Sequence, residues 1–197
     1  MTGGVAFFDP PSTAAWRHHG SRDGFEVLFV QSTDDGYHCE GEVTAVERGF
    51  AWAVRYRLLL DHTWATRSAT VSGVSSTGGW EVQLAGDGHG VWRINAEPAP
   101  NLRGCLDIDL EASVFTNALP IHRLQLPIGD SADAPAAYLR AVNPFVERLE
   151  QRYERLPDEG GRKRFDYAAA GFDFQEVLTY DESGLIVDYP GIALRVV

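Results

Sequence analysis

The stretch FAWAVRYRLLLD, residues 50–61, sets Phe50, Trp52, Val54, Tyr56, Leu58 and Leu60 on one face and Arg55 and Arg57 on the other, among small residues. A period of two is the signature of a half-buried β-strand. On a helix the same residues would be smeared around the whole circumference. The stretch therefore reads as a strand, and its neighbours read the same way.

Upstream, FEVLFVQ (25–31) and YHCEGEVTAVERG (37–49) are strand-like. Downstream, ATRSATVSGVS runs into the turn STGG, and WEVQLAG leads through DGHG into VWRIN. Dipeptides of the DG and GG kind favour tight hairpins. The PAPNL run interrupts this pattern before GCLDIDL starts a further strand. A long loop, EASVFTNALPI, then leads to HRLQLPI, and alternation resumes after DSADAP through to IALRVV. One segment disagrees: in PFVERLEQRYERLPDE, Val146, Leu149, Tyr153 and Leu156 recur at helical spacing, and local pattern alone predicts a helix.

The chain has 197 residues, 44% of them hydrophobic and 23% charged. That suits a single domain over 1–197 and excludes a disordered or fibrous chain. Seventeen basic against 28 acidic residues give a net charge of −11, which opposes nucleic-acid binding. No stretch is long and apolar enough to span a bilayer. The N-terminal MTGGVAFFDPPSTAAW has no Lys or Arg before its apolar run and meets two prolines; it does not read as a signal peptide, and a cytoplasmic location is expected. Cys39 and Cys105 are expected to be free thiols.

Many short strands separated by Gly and Asp turns predict a mainly β fold with little helix. The expected form is one large antiparallel sheet curled into a barrel or half-barrel around a cavity, because closure removes exposed edges. Within GCLDIDL, Cys105, Asp107 and Asp109 share a strand face, which places the two carboxylates about 6 to 7 Å apart. That spacing suits an acid–base pair, an ion-paired structural network, or a solvated strand face. Arg67, among small neighbours, needs a carboxylate if buried and is otherwise free to anchor a ligand. Asn117 and Arg123, in the loop around Pro120, are candidate binding groups. The six histidines show no metal-ligand spacing, no nucleotide or hydrolase motif is present, and neither a metal nor a cofactor is expected.

The runs DHTWATRSATV, GCLDIDLEASVFTNALPIHRLQL, EQRYERL and GLIVDYPG resemble those of the bacterial putative glycolipid-binding family, over nearly the whole chain. The resemblance implies a fold similar to that of periplasmic lipoprotein carriers, a curled sheet around an apolar cavity. It implies recurrent positions at Glu26, Trp64, Arg67, Cys105, Asp107, Asp109, Thr116, Asn117, Pro120, Arg123 and Tyr153, and at Asp188 to Gly191. It also implies that EQRYERL is a strand, which overrides the helical spacing.

The leading functional expectation is non-catalytic binding of an amphiphile, such as a glycolipid, in a β-barrel cavity. Apolar side chains would hold the tail, and Arg67, Asn117 or Arg123 the head. Glu26, Trp64, Asp107, Asp109 and Tyr153 complete the ligand-binding candidates. The alternatives are an enzyme using Asp107 and Asp109 on a small or lipidic substrate, and a structural or protein-interaction domain.

Overall fold

The computed structural model describes residues 7–197; residues 1–6, part of the N-terminal stretch read above and of the 1–197 domain span, lie outside it. Its N-terminal half is a meander of β1 (Thr13–His18), β2 (Arg22–Thr33), β3 (Gly36–Glu47), β4 (Phe50–Leu60), β5 (Thr66–Ser75), β6 (Gly78–Gly86), β7 (Trp92–Ile94) and β8 (Glu97–Pro98). A middle segment follows, with β9 (Asp107–Leu110), helix α1 (Ala118–Leu124), β10 (Ser131–Asp133), β11 (Ala136–Leu139) and β12 (Val146–Leu149). The chain ends in a second meander of β13 (Arg152–Glu159), β14 (Arg162–Ala169), β15 (Phe174–Tyr180), β16 (Ile186–Tyr189) and β17 (Ala193–Arg195).

The pairing of β17 with β1 joins the two meanders into one 14-stranded sheet, ordered β10-β13-β14-β15-β16-β17-β1-β2-β3-β4-β5-β6-β7-β8. Strands β12, β11 and β9 form a second, three-stranded sheet in which β9 and β11 are parallel. The mainly β, little-helix expectation holds, and residues 146–149 and 152–159 are strands.

The barrel or half-barrel does not form. Strands β10 and β8 are the free ends of the large sheet, and no sheet closes or curls strongly. The physical reason lies in the middle segment. It packs on the inner face of the sheet and fills the space a barrel would have enclosed, with Ile108, Phe115, Leu119 and Ile121 fully buried. It is tied to both meanders. The Thr66 amide donates to Leu106 O at 2.9 Å, Trp92 Nε1 donates to Cys105 O at 2.7 Å, and Tyr180 OH donates to Asn117 O at 3.2 Å. Part of the expected loop is helical. Pro120 sits in the first turn of α1, where its missing N–H breaks no helical bond.

The decisive stretch behaves as its alternation requires. Trp52, Val54, Tyr56, Leu58 and Leu60 are buried. On the opposite face Arg57 pairs with Glu40 of β3 at 3.2 Å, and Arg55 pairs with Glu42. Phe50, at the strand's start, is exposed.

Three connections share one design that was not read from the sequence. In DHTWA (61–65), DGHGV (87–91) and DESGL (181–185), the leading Asp accepts the amides of the third and fifth residues at 2.7 to 3.1 Å. The fourth residue needs positive φ: Gly90 and Gly184 supply it without steric cost, whereas the first loop places Trp64 there at φ 67°.

Candidate functional site

A cleft of about 160 Å³ lies between the middle segment and the C-terminal meander. Arg22, from the start of β2, stands in its lining, and Asp109, Glu111 and Asn117 come from the middle segment. Tyr167, Phe172, Phe174 and Tyr189 form an aromatic wall, with the Tyr167, Phe174 and Tyr189 rings 6.0 to 6.4 Å apart. Few directed polar groups among apolar walls is the usual make-up of a ligand site. The volume falls below the roughly 300–1,000 Å³ that engulfs a drug-sized ligand.

Asp109 is the central polar group. Thr116 Oγ1 donates to Oδ1 at 3.1 Å, and Gln151 Nε2 donates to Oδ2 and to Tyr167 OH. Burial dominates over those donors and pushes the carboxyl up to about 6. Asn117 Nδ2 donates to Tyr153 OH at 3.0 Å, so Tyr153, itself fully buried, stands behind the cleft. Burial also raises the Tyr153 and Tyr167 phenols, which stay neutral donors and acceptors.

Of the expected ligand-binding residues, the structure brings Asp109 and Asn117 into this cleft, with Tyr153 behind them. The others lie elsewhere. Asp107 takes a bidentate ion pair from Arg123, at 3.1 and 2.6 Å, and is 1% exposed. Burial raises its carboxyl while Arg123 opposes the shift. The two carboxylates share no open space: only Asp109 lines the cleft, and each has its own partners. Arg67 is half-exposed beside Asp61, 3.6 Å away, and does not face the cleft.

Glu26 is fully buried and accepts from Tyr56 OH at 2.7 Å, Ser113 Oγ at 2.5 Å and the Val114 amide at 2.6 Å. Burial raises its carboxyl, against those donors. It pins the loop after β9 to the large sheet. Trp64 packs between Tyr37 and His122.

Residues the sequence reading missed are Arg22, Glu111, Gln151, Tyr167, Phe172 and Phe174. The alternation in RFDYAAA and FDFQEVLTYD carried the only usable signal, for Tyr167 and Phe174. Cys39 and Cys105 are free and buried, and burial pushes their thiols up to about 12 and about 11. Among the described residues, no three His, Cys, Asp or Glu gather as a metal site. No helix there is long and apolar enough to cross a membrane, and nothing in the fold supports the cytoplasmic expectation.

The amphiphile-filled barrel cavity is also corrected: the interior is packed by the chain itself, and the open space at the site is the small cleft. No curated protein matches the chain. The crystal structure of a DUF1089 family protein from Pseudomonas aeruginosa is similar, with a TM-score of 0.74 and 31% identity, over 100% of this chain and 99% of that one. The family model described as putative glycolipid-binding matches residues 13–195. That match takes in both meanders and the middle segment between them, and the chain belongs to the putative glycolipid-binding family.

Proposed function

We propose that the protein binds the compact polar head of an amphiphile in the cleft and does not convert it chemically. The observation that carries this reading is the meeting of Asp109 and Asn117 with the wall of Tyr167, Phe174 and Tyr189 in a space of about 160 Å³. Such a volume suits a head group and leaves no room for an acyl tail. Aromatic faces beside amide and carboxyl groups match the alternating C–H and O–H surfaces of a sugar, and the family description points to a glycolipid. Binding is favoured over catalysis because both Asp109 oxygens already accept hydrogen bonds from Thr116 and Gln151.

Calorimetric titration with alkyl glucosides of increasing chain length tests the reading. Binding is expected with an affinity nearly independent of chain length, and Phe174→Ala is expected to weaken it several-fold. An affinity rising about fourfold per methylene, the gain of a buried tail, would overturn the head-group assignment. So would a folded protein that binds no glucoside.

A further inference from the structure

We propose that the Arg22 end of the cleft is a subsite for an anionic oxygen group, of the phosphate, sulfate or carboxylate kind, carried by the ligand's head. The proposal rests on the cleft being the binding site and adds the charge of what enters it.

Among the described residues, Arg22 is the only basic one lining the cleft. It is half-buried, and its Nη2 donates to Glu111 O at 2.7 Å. Its guanidinium carbon lies 5.4 Å from the centre of the Trp52 ring. Among the described residues, no carboxylate forms an ion pair with it. The two acids of the cleft are engaged elsewhere, Asp109 with Thr116 and Gln151, and Glu111 with the Ala141 amide at 2.7 Å. In a chain with 28 acidic and 17 basic residues, a half-buried arginine without a carboxylate is out of the ordinary.

Its surroundings also hold buried polar atoms without partners. His18, Gly24, Ala45 and Trp52 form one row across β1 to β4. Both ring nitrogens of His18, Nε2 of His19, Nε of Arg22 and Nε1 of Trp52 are buried without a partner. These are five of the seven such side-chain atoms among the described residues, and buried polar groups are normally paired. Burial, and after it the Arg22 charge, pushes His18 down to about 4, so the imidazole is uncharged at neutral pH and leaves Arg22 as the cation at this end. The complement of a guanidinium that still has N–H groups to donate and no carboxylate partner is a planar or tetrahedral oxyanion.

The test follows the Trp52 indole N–H and Arg22 Nε–H resonances during titration with inorganic phosphate, octyl phosphate and octyl glucoside. Phosphate should shift both signals, and octyl phosphate should bind at least about tenfold more tightly than octyl glucoside, the scale of a charge-assisted hydrogen bond. Arg22→Gln should abolish that preference, bringing the affinity for octyl phosphate down to the variant's own affinity for octyl glucoside. Equal affinities for the two amphiphiles, or phosphate binding unchanged in folded Arg22→Gln, would overturn the subsite. If neither amphiphile binds while phosphate still shifts both resonances, the head-group reading falls and the anion site stands. Should Arg22→Gln fail to fold, the wild-type comparison of the two amphiphiles decides alone. Octyl phosphate binding about as tightly as free phosphate shows that the site admits a head carried on a tail, whereas binding of free phosphate alone points to a free anion as the source.

Discussion

Trp64 lies flat on His122, ring centroids 3.6 Å apart and planes 8° from parallel, across the boundary between the β4–β5 connection and α1. The contact explains why a bulky residue occupies a backbone position that the two sister loops give to glycine. The left-handed φ costs about 1 kcal/mol or more, and stacking with burial outweighs it. The same stack buries His122 and pushes its imidazole down to about 3.

Trp64→Ala should therefore destabilise the fold by roughly 3–5 kcal/mol, the range for emptying a large aromatic site. Trp64→Gly loses the same ring but relaxes at positive φ, and should be about 1 kcal/mol more stable than the alanine variant. Urea denaturation of both variants checks this, and an alanine variant more stable than the glycine variant contradicts it.

Glu26 fastens the loop after β9 through three donors. Truncation to alanine strands Tyr56 OH, Ser113 Oγ and the Val114 amide in a dry interior, at a cost of roughly 3 kcal/mol or more. Because Ser113 and Val114 also line the cleft, ligand affinity should fall together with stability. Hydrogen exchange at the Val114 amide reports the loop directly: protection should be lost in Glu26→Ala and partly kept in Glu26→Gln. Unchanged protection in the alanine variant would show that the pin does not hold the loop.

Much of this fold was legible because strand alternation is local. Trp52 to Leu60 announce their buried face residue by residue. The helical spacing in 145–156 misled for an equally local reason: Val146 and Leu149 are the buried ends of β12, and Tyr153 is the first buried residue of β13. Two short strands separated by Glu150 and Gln151 thus mimic a period near 3.5. Closure of the sheet was not legible, since it depends on where β8 and β10 end up and on what residues 99–151 do with the inner face. The cleft was half legible. Asp109 followed from alternation and Asn117 from its turn-rich loop, whereas Arg22, Gln151 and Phe172 meet there only through the β17–β1 junction and the parallel β9–β11 pair.

The Asp107–Arg123 pair joins β9 to α1. Arg123→Met leaves a carboxylate that is 1% exposed without its counter-charge, and should cost roughly 3–5 kcal/mol. Adding Asp107→Asn removes the stranded charge and should recover part of that loss. A double-mutant cycle measures the coupling. Additive effects of the two substitutions would mean that the ion pair makes no energetic contribution of its own.

Asp109 gives the protein a pH dependence opposite in sign to that of an ordinary salt-bridged carboxylate. Its folded value, about 6, lies above the ordinary 3.8, so the folded state holds the proton more tightly than the unfolded chain does. Stability from this group is full below the ordinary value and is lost as pH rises through the interval to about 6. At about 1.4 kcal/mol per pKa unit, the loss is on the order of 3 kcal/mol. Asp109→Asn keeps the shape and carries no titrating proton, so the difference in unfolding free energy between wild type and variant should shrink across that interval and be flat above it. The comparison isolates Asp109 from Glu26 and Asp107, whose carboxyls burial also raises. A difference that stays constant across the interval, or grows with pH, would show that Asp109 ionises freely in the folded protein and that the cleft is wetter than its aromatic wall suggests.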